Sequence, residues 1–94
     1  MNKYELTVVY KPNLEEVLKS EHEQTIELLE RFEATVEKVD DWGKRKLSYE
    51  IDKITEGIYR FITFSANVKT PIEIESRMRI RENILRYLIV RIEE

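Results

Sequence analysis

The 94-residue chain has no cysteine, one histidine, one tryptophan, two glycines and two prolines. Without cysteine there is neither a disulfide nor a thiolate metal site. No apolar run approaches the roughly 20 residues that a bilayer span requires. The opening segment, Met1 to Asn13, alternates and carries polar breaks, so it does not read as a signal peptide. A chain of this length is expected to form one domain over residues 1–94, and 41% hydrophobic residues is ordinary for a soluble intracellular protein that folds without staples.

The same scarcity weighs against catalysis. The single histidine, His22, falls in the middle of a helical pattern and reads as a partly buried helix residue. Ser20, Ser48, Ser65 and Ser76 belong to separate elements and have no partner base. An acylphosphatase-like phosphate loop needs glycines after the first strand, and Lys11-Pro12-Asn13 stands there instead. Carboxylates are plentiful, but no pair is set apart from a general acidic surface. No enzyme activity, cofactor, metal or small-molecule substrate is expected.

What the chain does have is charge, and its distribution is uneven. The formal net charge is −3, which argues against an autonomous nucleic-acid binder. Residues 1–41 hold five bases and eleven acids, net −6, whereas residues 42–94 hold eleven bases and eight acids, net +3. From Arg77 to Arg91 there are five arginines and one acid, Glu82. A chain of this kind can hold an anion at one end while the rest of its surface stays neutral or repulsive.

Apolar periodicity gives the elements. Lys3–Tyr10 alternates as a strand, and Lys11-Pro12-Asn13 stops it, with Asn13 suited to cap a helix over 14–32. Residues 34–51 alternate again, a turn over 52–57 is closed by Gly57, and 58–66 is a third strand. Thr70-Pro71-Ile72-Glu73 has the form of a helix start, with Thr70 as cap and Asn83 able to end the helix in a left-handed conformation. Leu85–Ile92 is a last strand, apolar on both faces apart from its arginines. The order βαββαβ implies an α+β ferredoxin-like sandwich, a four-stranded antiparallel sheet with two helices on one face. First and last strands are expected side by side at the centre, with the strand over 34–51 at an edge.

Two stretches carry functional expectations. The first is Asp40-Asp41-Trp42-Gly43-Lys44-Arg45-Lys46-Leu47-Ser48-Tyr49-Glu50-Ile51. Its charges discourage self-pairing of an edge strand, and Gly43 permits a bulge there. A single correct partner can match those charges, with Trp42, Leu47 or Tyr49 giving apolar contact. Trp42 either serves that contact or plugs the hairpin core. The second is the arginine set, in which Arg79, Arg81 and Arg86 flank the turn before the last strand. Guanidinium groups at such a turn suit phosphate oxygens. Tyr59 to Phe64 weakly echoes the base-stacking strand of RNA-recognition motifs, but Arg60 stands where that motif wants a small residue, and a core role fits better.

Tyr4-Glu5, Pro12-Asn13, Asp41-Trp42-Gly43-Lys44-Arg45 with Leu47-Ser48-Tyr49, and Arg79-Ile80-Arg81-Glu82-Asn83 occur in this order. In these the chain resembles the bacterial small-subunit ribosomal protein S6 family almost end to end. It departs from the family at Glu50, where a proline often stands. The resemblance implies a non-catalytic component of the cytoplasmic ribosome that binds small-subunit (16S) rRNA in its central domain. It also implies a heterodimer with the basic ribosomal protein S18. The expected RNA contacts are Lys3, Lys53, Arg79, Arg81, Arg86 and Arg91. The expected partner contacts are Asp40, Asp41, Trp42, Lys44, Arg45, Lys46, Leu47 and Tyr49. The alternative is a ligand-binding or oligomerisation module of the regulatory ACT type, which shares the element order but is usually fused to another domain.

Overall fold

The computed structural model describes residues 1–92. It contains β1 (Asn2–Tyr10), α1 (Glu15–Arg31), β2 (Thr35–Ile51), β3 (Ile54–Ala66), α2 (Thr70–Met78) and β4 (Ile84–Ile92). These form the ferredoxin-like α+β sandwich. The core lies between the helices and one face of the sheet: Tyr4, Leu6, Val8 and Tyr10 alternate inward from β1 and pack with Leu28, Leu29, Ile74 and Met78 from the helices.

The strand order is β2-β3-β1-β4, antiparallel throughout. The expectation that β1 and β4 share the centre is therefore corrected: β3 and β1 are central, and β4 is an edge. Helix α1 carries the chain from β1 to a parallel β2 one strand away, and β3 returns into the vacant place. Nine positions of β1 pair with Ile58–Ala66 of β3, and α2 then crosses to the other side of β1. Apolarity on both faces of β4 has a different cause from central burial. Tyr87 and Ile89 pack against the core, while Leu88 and Val90 point outward.

The helix ends also differ from the sequence patterns. Asn13 lies one residue before the cap position, and its Oδ1 accepts the Leu14 N–H at 2.8 Å. Helix α1 stops because Glu33 turns left-handed (φ 63°), which lets the Ala34 N–H reach back to the Leu29 carbonyl at 3.0 Å. Thr70 is the first residue of α2 rather than its cap, and its hydroxyl donates to the Phe32 carbonyl at 3.1 Å, tying the two helices together. Asn83 lies beyond α2, which ends at Met78.

The β2–β3 turn is tighter than the sequence implies. Asp52 and Lys53 both have positive φ (48° and 66°), which makes a two-residue turn between Ile51 and Ile54 with the twist such hairpins prefer. Gly57 lies inside β3 and serves a different need. A Cβ there would sit 2.4 Å from Val9 Cγ1 and 3.4 Å from Leu47 Cδ2. Gly43 does mark a bulge, with φ 69°; Trp42 is the extra residue between the Asp41–Arg60 and Gly43–Tyr59 pairs.

The two glycines should respond differently to alanine. Gly57→Ala should lower unfolding free energy by about 1–3 kcal/mol, because Val9 must move. Gly43→Ala meets open space and should cost only the left-handed strain, about 1 kcal/mol. Urea denaturation of both variants checks the order, and equal losses would contradict it.

Candidate nucleic-acid and partner interface

The helices leave one face of the sheet uncovered, and the pleat decides what that face carries. Val9 pairs with Tyr59 on one side and Arg86 on the other; Thr7 pairs with Phe61 and Leu88. Residues directly opposite in an antiparallel ladder share a face. The open face therefore presents Tyr59, Phe61, Arg86, Leu88 and Val90. The bulge at Trp42 adds an indole set edge-on to Phe61, with ring centroids 4.8 Å apart. The Arg45 guanidinium stands over the Trp42 ring at 5.8 Å, and Arg86 stands over Tyr49 at the same distance. The second contact requires the hairpin tip to curl across the open face, and the missing Cβ of Gly57 permits it.

Four large apolar side chains on this face remain open to solvent: Trp42 (52% exposed), Tyr49 (62%), Leu88 (56%) and Val90 (43%). Beside Leu88 lies a shallow cleft of about 240 Å³ lined in part by Val9, Phe61 and Arg86. Trp42 thus belongs to the open face and does not plug the hairpin core. Among the expected partner residues, Arg45 and Tyr49 join it there. Leu47 is buried beneath them against Gly57. Asp40 lies opposite Phe61 and is ion-paired with Lys38 at 3.5 Å. Asp41, Lys44 and Lys46 pair with Arg60, Ile58 and Glu56, which sets them towards the helix side of the edge.

The expected RNA contacts fall into separate groups. Lys3 pairs with Ile92 in the ladder, so Lys3 and Arg91 stand at one end of the sheet. Lys3 is ion-paired with Glu37 at 3.3 Å, and Arg91 donates to Asn2 Oδ1 at 2.8 Å. The Glu37 carboxyl is held below its ordinary range, chiefly by the Ser65 hydroxyl and then by Lys3. Lys53 sits at the hairpin tip, beyond the opposite end. Arg79 is exposed beside the Tyr87 hydroxyl, which holds its guanidinium more firmly protonated.

Arg81 turns inward. It forms an ion pair with Glu21 and donates to Thr25 Oγ1 at 3.0 Å and to the Glu21 carbonyl at 3.2 Å. Sequence reasoning missed Glu21 because it counts the acids near an arginine along the chain, and this one lies 60 positions away. A signal was there: Glu21, Thr25, Leu28 and Phe32 recur at helical spacing, so Glu21 sits on the inner stripe.

His22 is half-buried, with its ring edge-on to Tyr10 at 4.9 Å. Its pKa is lowered first by burial and then by the Arg60 guanidinium; Asp41 and Glu21 oppose the shift. No group of three or more potential metal ligands occurs among the described residues, and no helix there is long and apolar enough to cross a membrane.

With this geometry in hand, the comparisons with known proteins agree on one family. The family model for ribosomal protein S6 matches residues 3–91. Small ribosomal subunit protein bS6 of Alkaliphilus oremlandii is 40% identical over 100 residues, covering 100% of both chains. The protein of the same description from Clostridium beijerinckii is 42% identical over 91 residues, covering 96% of each. A crystal structure of 30S ribosomal protein S6 from Thermotoga maritima superposes with a TM-score of 0.91 at 30% identity, covering 97% of this chain and 87% of that one.

The depressed His22 pKa has a measurable consequence. As pH falls below about 6.5, the unfolded chain takes up a proton that the folded chain resists, so stability falls until the folded pKa is passed. Above that pH the group contributes nothing. Between pH 7 and 5 the wild type should therefore lose more thermal stability than His22→Gln; parallel melting curves would contradict this.

Proposed function

The chain belongs to the ribosomal protein S6 family, and from that premise we propose that it binds small-subunit ribosomal RNA in the central domain cooperatively with ribosomal protein S18. It is a protein of the small ribosomal subunit, and its role in this reading is structural and non-catalytic. The observation that carries the proposal is the open sheet face. Four exposed apolar side chains on one face, edged by arginines, form the kind of patch that a lone soluble domain seldom leaves uncovered. S18 covers Trp42, Tyr49, Leu88 and Val90, two of whose rings already carry Arg45 and Arg86 stacked on them.

Charge supports the division of labour. An acidic protein repels a phosphate backbone, yet the net −6 of residues 1–41 attracts a basic partner. Once S18 is bound, Arg79, Arg86 and Arg91 add to the partner's own cations, and a junction in the RNA meets both chains together. Phosphate contacts of this kind position the RNA rather than read its sequence. Cooperativity in this reading comes from apolar contact that joins the two proteins and from the cations that the joined surface then presents together.

Gel-shift titration of a central-domain rRNA fragment should show weak binding by this protein alone. Adding S18 should tighten it by about 5–150-fold at fixed salt. Tight binding that does not depend on S18 would contradict the cooperative reading.

A further inference from the structure

Resting on the reading that this chain binds rRNA, we propose that Glu21 and Arg81 form a clamp that positions the α2–β4 loop for RNA. Arg81 on this account is a positioning residue and not a phosphate contact. Glu21, an acid on an RNA-binding protein, aids binding although it touches no RNA.

The geometry is that of a closed network. The Glu21 side chain is 9% accessible and that of Arg81 15%. Arg81 Nη1 donates to Thr25 Oγ1, and Nη2 donates to both the carbonyl and the carboxylate of Glu21. Asn83 Nδ2 donates to the second carboxylate oxygen, Oε2, at 3.1 Å. A hydroxyl has one proton and two lone pairs. Because Thr25 gives its proton to the Glu21 carbonyl at 2.9 Å, it must accept from both Arg81 and Tyr10. The Tyr10 hydroxyl is therefore the donor in its 2.6 Å bond to Thr25, in keeping with the raised pKa that burial gives it.

This network grips alternate positions of the loop. Arg81 and Asn83 point in, whereas Arg79, Ile80 and Glu82 are exposed. The backbone is held at the same places: Arg81 N–H to the Met78 carbonyl at 3.1 Å, Ile84 N–H to the Arg81 carbonyl at 3.3 Å, and Lys11 N–H to the Asn83 carbonyl at 2.8 Å. Three of the five N–H donors of Arg81 are engaged, and its charge is met by a buried carboxylate. Little is left for a phosphate. What the clamp provides is a fixed starting point for β4 and a fixed bearing for Arg79 and Arg86, and a preorganised loop binds without paying to order itself.

The test turns on sign and on salt. Glu21→Gln removes a negative charge, so simple Coulomb attraction predicts tighter RNA binding. The clamp predicts the opposite: about ten-fold weaker binding of the central-domain fragment in the presence of S18, comparable to one lost charge-assisted hydrogen bond. Arg81→Met should weaken binding without changing the slope of log affinity against log salt, whereas Arg79→Ala should reduce that slope by about one. Arg81→Lys, which keeps the charge but not the fork, should weaken binding as Arg81→Met does, and it serves if the methionine variant fails to fold. Tighter binding by Glu21→Gln, or a slope reduced by one in Arg81→Met, overturns the clamp. Amide exchange at Lys11 and Ile84 reads the clamp without RNA; rates unchanged in Glu21→Gln would overturn it too. Failure of the wild type to bind with S18 would instead overturn the assembly reading, so the two failures are distinct.

Discussion

The curl of the β2–β3 hairpin across the open face depends on the absence of one methyl group. At Gly57 the chain of β3 passes so close to the Val9 and Leu47 side chains that a Cβ would force Val9 to move. That approach lets a 17-residue β2 curl with its partner strand across the sheet instead of projecting flat into solvent. Leu47 becomes buried as a result, and Tyr49 comes to rest under Arg86 from the opposite edge. The bulge at Trp42 and Gly43 completes the arrangement by turning the indole onto Phe61. A surface assembled from β2, β3, β1 and β4 thus includes one close approach, of the Gly57 backbone to the Val9 side chain.

Electrostatics then separates two tasks. The apolar patch is edged by arginines that stack on its own rings, so those cations are held in place, and among the described residues neither is ion-paired with a carboxylate. Elsewhere charges are paired locally: Lys3 with Glu37, Lys38 with Asp40, and Arg81 with Glu21. Only the last pair is substantially withdrawn from water, where losing one partner leaves the other poorly solvated. It joins α1 to the loop before β4. The surface proposed for the partner and the clamp proposed for RNA therefore lie in different parts of one small domain: a curled hairpin for the first and a buried ion pair for the second.

Much of this was legible in the sequence, and the gaps have physical causes. Period-2 and period-3.6 patterns located all six elements, because burial on one face leaves that trace in any amphipathic segment. The place of β4 was not legible, since apolarity on both faces marks equally a central strand and an edge whose outer face awaits a partner. Gly57 looked like a turn residue, for glycine serves turns and close contacts alike, and only the fold brings Val9 beside it. Trp42 could be placed near a bulge from Gly43 but not on a face, because an inserted residue breaks the alternation that assigns faces. The arginine cluster was visible as composition. That Arg81 is paired inside while Arg79 is exposed beside Tyr87 depended on Glu21, an acid on the inner stripe of a helix 60 residues away.

Trp42 is the chain's only tryptophan and lies half-exposed within the proposed partner surface, so its fluorescence reports on that surface alone. Acrylamide quenching of the free protein, of the protein with S18, and of the protein with rRNA fragment alone is the most direct measurement. The account predicts ready quenching in the free protein, marked protection with S18, and little change with RNA alone. An indole as open to quencher with S18 as without it would contradict the claim that the open sheet face is where the partner binds.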